Sequence, residues 1–79
     1  MNNLEKYNKA FMEALNVSKE QLADLKYTDV PGWDSVGHMG LIAMLEDAFE
    51  IMMDTDDIID LSSYEKGKEI LRKYNVIID

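Results

Sequence analysis

Trp33-Asp34-Ser35-Val36, running on as Gly37-His38-Met39-Gly40-Leu41-Ile42-Ala43-Met44-Leu45-Glu46-Asp47-Ala48-Phe49, is the stretch on which the fold turns. Upstream, Lys26 to Asp34 reads as loop, and its Pro31-Gly32 pair is a strong turn signal. A helix opens at Ser35 and is expected to run to about Glu50. At about 100° per residue its apolar side chains fall into two stripes. Leu41, Ile42, Leu45, Ala48 and Phe49 form one, which must face a core. Val36, Met39 and Ala43 form a second, bordered by Glu46 and Asp47. A helix in a small bundle needs one buried stripe, so the second is a candidate docking surface for another protein. The blander alternative is a wider core contact, for which Ala43 is small enough. Gly37 and Gly40 each cost about 1 kcal/mol against alanine in a helix. They point to close backbone approach or room near the helix start, or to a weak helix rescued by packing. His38 falls at the top of the core stripe, the place of a packed and hydrogen-bonded histidine.

Helical spacing extends in both directions from this segment. Leu4, Tyr7, Phe11, Ala14 and Leu15 alternate with Glu5, Lys6, Lys9 and Glu13 and predict an amphipathic helix over roughly residues 3–15. Ser18 to Gln21 has the form of a capping box and starts a short helical turn that reaches towards Leu25. Asp54 to Leu61 has room for one short helical turn. Ser62, with Glu65 three residues on, forms a capping box for a last helix whose Tyr64, Gly67, Ile70, Leu71 and Tyr74 share one side. The apolar tail Val76-Ile77-Ile78 either packs back or frays. No alternating strand pattern or internal repeat appears. The fold class is therefore all-α, a small antiparallel bundle of three main helices plus one short helix in a single domain, residues 1–79.

Composition narrows the function. A chain of 79 residues, 47% of them apolar, folds as one small domain that buries ~60% of its unfolded surface. With no cysteine and one histidine, a disulfide scaffold, a thiolate zinc site, a cysteine nucleophile and a histidine-rich metal site are all excluded. The net charge of −8 argues against nucleic-acid binding through phosphates and for basic or neutral partners. That charge sits in one place: residues 31–62 hold Asp34, Glu46, Asp47, Glu50, Asp54, Asp56, Asp57 and Asp60 and no Lys or Arg. Such a patch steers an oppositely charged partner, or simply keeps a small protein soluble. The N-terminus carries no apolar signal region and no run approaches membrane-spanning length, so a cytoplasmic protein without membrane insertion is expected.

Three apparent motifs fail on their chemistry. Ser35 and His38 stand at nucleophile and base spacing, but nothing identifiable orients the histidine and no oxyanion hole is signalled. Asp54-Thr55-Asp56 with Glu65 imitates a calcium loop, yet the required ligand and glycine positions hold Ile58 and Ile59. Asn16-Val17-Ser18 is a glycosylation sequon in a chain without a secretion signal.

A loop ending in Asp34-Ser35, then Val36, Met39, Leu41, Ile42, Leu45, Glu46, Asp47 and Phe49 along one helix, resembles the acyl carrier proteins. Their signature is Asp-Ser-Leu, followed by apolar residues at this spacing and a Leu-Glu-Glu-x-x-Phe ending. Here the ending is Leu45-Glu46-Asp47-Ala48-Phe49. The acidic stretch Asp54 to Leu61 resembles the family's short third helix, and with the outer helices the likeness covers essentially the whole chain.

The resemblance implies a carrier without catalytic activity of its own. Ser35 would be esterified to 4′-phosphopantetheine by a phosphopantetheinyl transferase using coenzyme A, with Asp34 and Gly37 adjacent and Gly37 leaving space for the arm. The working sulfur would then come from the cofactor, which accounts for the missing cysteine. Val36, Met39, Ala43, Glu46, Asp47, Asp54, Asp56 and Asp57 would meet the basic docking surfaces of acyl-loading and acyl-transferring enzymes, with the carrier a monomer. Leu41, Ile42, Leu45, Phe49 and Ile58, helped by Met53, would line an interhelical space for a lipid-like cargo. Gly37 and Gly40 stand where carriers of fatty-acid synthesis usually place acids, a departure that weakens the expectation of the standard fatty-acid enzymes as partners. Trp33 before the motif resembles stand-alone carriers of polysaccharide or specialised-metabolite pathways. Two alternatives stay open: an aminoacyl carrier of the D-alanyl or peptidyl kind, and an unmodified acidic helical adaptor in which Ser35 is a helix cap.

Overall fold

A computed structural model describes residues 1–78; Asp79 lies outside the described residues. Among them the chain forms four α-helices and no strand: α1 (Asn3–Leu15), α2 (Ser35–Phe49), α3 (Thr55–Asp60) and α4 (Tyr64–Arg72), with a one-turn 3₁₀ helix at Lys19–Gln21 after α1. No helix among the described residues is long and apolar enough to cross a membrane.

Local chemistry sets each boundary. Asn2 caps α1 by accepting from the Glu5 amide at 2.8 Å, while the Glu5 carboxylate accepts from the Asn2 amide at 3.2 Å. Asn16 closes α1 in the left-handed conformation, φ 57°, a geometry asparagine tolerates well. At the 3₁₀ turn the Gln21 side chain accepts from the Ser18 amide at 2.8 Å, as the capping-box spacing predicts. The cap of α4 is Ser63, whose hydroxyl accepts from the Lys66 amide at 2.9 Å, and not the expected Ser62. The reason is tertiary. The Ser62 carbonyl accepts from the Tyr27 amide at 2.8 Å and the Tyr64 amide donates to the Leu25 carbonyl at 2.9 Å. This pairing pins residues 62–64 in extended form against the long loop, and the helix starts only after it.

The core is built where the faces of α1, α2 and α4 meet. Tyr7, Ala10, Phe11 and Leu15 come from α1, Leu41, Ile42 and Leu45 from α2, and Tyr64, Ile70 and Leu71 from α4. Trp33 is completely buried at its centre. Phe11 meets Trp33 edge-on at 5.6 Å and Tyr64 at 5.3 Å, while Tyr7 lies 4.8 Å from Phe11, spacings at which aromatic pairs attract. The buried Tyr7 hydroxyl donates to the Tyr64 carbonyl at 2.6 Å, and burial pushes its acidity far below that of an ordinary tyrosine. Ala48 and Phe49, expected to face the core, are half-buried at its margin. The tail packs back: Val76 and Ile78 are buried, and the Ile77 carbonyl accepts from the Asn3 side chain at 3.1 Å.

The long loop reaches α2 through two glycines. Pro31 and Gly32 are the middle residues of a turn closed by the Trp33 amide on the Val30 carbonyl at 3.1 Å. A Cβ on Gly32 would stand 2.2 Å from the Leu15 carbonyl oxygen, and one on Gly37 1.8 Å from that of Gly32. Backbone thus lies directly on backbone from the end of α1, through the turn, to the start of α2.

Candidate functional site

Ser35 is the first residue of α2 and is exposed to solvent. The cap is Asp34: its backbone is extended and its carboxylate accepts from the Gly37 amide at 2.8 Å, while its carbonyl accepts from the His38 amide at 2.8 Å. The capping role that serine commonly fills is therefore taken, and the Ser35 side chain is not required for it. The amides of Ser35 and Val36 lie outside the helical ladder, as first-turn amides do. No further acid occupies the first turn of α2, and the Asp34 carboxylate already answers part of the positive charge at this helix end. The resemblance has Gly37 leaving space for the arm beside Ser35, but the place of its missing side chain is taken up elsewhere. That glycine faces the Gly32 carbonyl, and its missing side chain serves loop packing. Gly40 has open space around it, and nothing in the structure requires a glycine there.

Ser35 borders a cleft of about 350 Å³ lined by Tyr27, His38, Met39, Ile58, Ile59, Leu61 and Ser62. The cleft therefore lies between the start of α2 and α3, with the loop residue Tyr27 completing the wall. His38 fixes its inner side. The indole N–H of Trp33 donates to His38 Nδ1 at 3.0 Å, which leaves the proton on Nε2 to donate to the Ile58 carbonyl at 2.7 Å. The histidine is a packed, doubly bonded residue, as its position on the wheel predicts. A second groove, of about 290 Å³, runs between α1 and α2 beside Lys6, Lys9, Glu13 and Asp47 and does not include Ser35.

Most of the residues expected to line an interior cargo space are core residues. Leu41 and Leu45 are fully buried and Ile42 nearly so, packed into the closed core with Met53. Of the residues expected to line that space, Ile58 alone lines the cleft. The interior is occupied by Trp33 and Phe11, whose burial the helical periodicity of α2 does not report.

The second stripe of α2 does face outward: Val36 is 80% exposed, Met39 54%, and Ala43 is exposed. Asp47, Asp54 and Asp56 are also exposed. Glu46 is half-buried and accepts from the Met53 amide at 2.9 Å, bracing the turn after α2. Asp57 is a correction. The sequence places it on the docking surface, but it is 4% exposed, covered by Lys73 and Tyr74 of the α4 end. Its two oxygens accept from Lys73 and Tyr74, each at 2.5 Å, and these bonds hold its carboxyl below the usual carboxylate range. No group of three or more His, Cys, Asp or Glu among the described residues is placed to hold a metal ion.

Sequence reasoning missed Tyr27, Ile59, Leu61 and Ser62 as cleft residues. They come from two segments more than thirty residues apart, and no local spacing connects them. For Asp57 a signal existed, since it lies four residues before the buried Leu61 and shares its side of α3.

No protein-family model matches the chain, and no match was found among curated proteins or solved structures.

Proposed function

We propose that the chain is an acyl carrier protein with the fold of that family, and that Ser35 bears a 4′-phosphopantetheine arm. The observation that carries this is the division of labour at the start of α2. Asp34 caps the helix, and Ser35 is left exposed beside an apolar cleft with no structural duty. An adaptor that used Ser35 as its helix cap has no support in that arrangement.

The residues present suit the group. Ser35 supplies the Oγ that a separate transferase would join to the arm as a phosphodiester, drawing on coenzyme A. The amides of Ser35 and Val36 are not used by the helical ladder and remain as donors for an anion at this helix end, beside the Asp34 cap. Met39, Ile58 and Ile59 offer apolar contact to whatever is tethered, and methionine adapts to differing shapes. When bound, the terminal thiol of the arm would supply the thioester chemistry that a chain without cysteine lacks. The tether would raise the effective concentration of cargo at each partner's active site. The exposed stripe Val36, Met39 and Ala43, with Asp47, Asp54 and Asp56 beyond it, suits brief docking on enzymes with basic surfaces. An aminoacyl carrier is favoured by one further observation, the closed core, because a polar cargo needs no deep apolar cavity.

The test is intact mass after incubation with coenzyme A and a broad-specificity phosphopantetheinyl transferase. The expected result is the gain of one arm, abolished in Ser35→Ala. No gain, or a gain that survives the substitution, refutes the carrier.

A further inference from the structure

Between the cleft beside Ser35 and the buried Trp33 stand the rings of His38 and Tyr27, while Leu61 of the core also reaches the cleft. Trp33, wholly buried, lies edge to edge and nearly coplanar with His38, with 6.2 Å between ring centres and 15° between planes, joined by the indole hydrogen bond. Tyr27 stands edge-on to both, 6.1 Å from Trp33 and 5.6 Å from His38. His38 thus has the cleft on one side and Trp33 on the other. Both ring nitrogens are engaged, one by the Trp33 indole and one by the Ile58 carbonyl, so the ring cannot turn aside without losing a hydrogen bond. Behind these rings the core is shut off from solvent: Phe11, Leu41 and Leu45 are 0% exposed, Leu15 1% and Ile42 2%.

Resting on the assignment of Ser35 as the attachment site, we propose that His38 is the specificity-determining partition of this carrier. It confines cargo to the outer cleft and closes the core to it, so that the chain carries short acyl or aminoacyl groups and not long alkyl chains. At about 350 Å³ the cleft is near the small end of ligand sites, which span ~300–1,000 Å³, and the arm itself occupies part of it. Apolar contact comes from Met39, Ile58, Ile59 and Leu61, while Tyr27 and Ser62 add hydroxyl groups to the lining. A long chain has two courses. It stays in water, where its methylenes gain nothing, or it displaces His38 and leaves the Trp33 N–H and the Ile58 carbonyl without partners.

The test loads Ser35 with acetyl, hexanoyl or decanoyl arms from the matching acyl-coenzyme A, verifies loading by intact mass, and then records methyl NMR spectra and Tm. In the wild-type protein the Ile58 and Ile59 methyls should shift with every cargo. The Leu41 and Leu45 methyls should not, and Tm should stay level as the chain lengthens. In His38→Ala the decanoyl form should melt higher than the acetyl form, with Leu41 and Leu45 now shifting. Core methyl shifts that grow with chain length in the wild-type protein would overturn the partition and leave the carrier standing. A level response in His38→Ala would overturn the role of His38. Failure to load overturns the carrier, and this inference with it. If His38→Ala does not fold, the wild-type methyl series decides alone.

Discussion

A methyl group at Gly37 would stand 1.8 Å from a backbone oxygen, whereas one at Gly40 would meet nothing within 4 Å. The two glycines of one helix therefore predict opposite outcomes. Gly37→Ala should destabilise by about 1–3 kcal/mol, because the turn at Gly32 must move. Gly40→Ala should stabilise by up to about 1 kcal/mol through helix propensity. Urea denaturation of the two variants checks the pair. Asp57 sets the pH response. Lys73 and Tyr74 lower its pKa in the folded state, so its contribution is present above the unfolded value of about 3.9 and is lost as pH falls through the folded one. Hydrogen bonds to Asp57 also raise Lys73 and Tyr74. Their contributions are present below their unfolded values of about 10.4 and 10, and are lost as pH rises through the folded ones. Asp57→Asn should lower stability near neutrality by about 1–3 kcal/mol and flatten the acid limb, as read from urea midpoints against pH. At this scale the start of α2 at Ser35 was legible because its signals are local. The burial of Asp57 had a local signal in its spacing from Leu61, but its partners had none, lying sixteen and seventeen residues away.

Among the helices, α3 is the one held by polar clasps. At six residues it is too short to persist alone, and its one buried residue is Asp57. Tyr74 donates to Asp57 and accepts from the Asp54 amide at 2.9 Å, while His38 holds the Ile58 carbonyl from the other side. Tyr74→Phe removes two of these bonds. Amide protection in α3 should then fall roughly tenfold, a change of about 1.4 kcal/mol, while α1 and α2 keep theirs. Hydrogen exchange by mass spectrometry reads both. Helices α1, α2 and α4 could be placed from sequence because each presents a continuous apolar stripe. The start of α4 could not, since Ser62 offers the better capping-box spacing but is held by Tyr27 across the loop. The cleft beside Ser35 was illegible for the same reason, being assembled from loop, α2 and α3 by contacts that leave no period.

Over the whole molecule the charge is lopsided, with residues 31–62 holding eight acids and no Lys or Arg. The protein measures 30 × 26 × 19 Å, so at low salt most of these acids lie within reach of one another. The Debye length falls from ~30 Å at ~0.01 M salt to ~10 Å at ~0.1 M. Exposed Asp54, Asp56 and Asp60 should then repel less, and Tm should rise across that range. A flat melting curve against salt would remove self-repulsion from the account. Asp57 takes no part, because Lys73 answers its charge. An apolar stripe beginning beside Ser35, with acids towards its far end, suits a small shuttle that docks and leaves. The most direct measurement of that role is peptide mapping of the protein after treatment with coenzyme A and a phosphopantetheinyl transferase. A single phosphopantetheine on the peptide that contains Ser35, absent from Ser35→Ala, is the predicted result; an unmodified protein, or an adduct on any other residue, would contradict it.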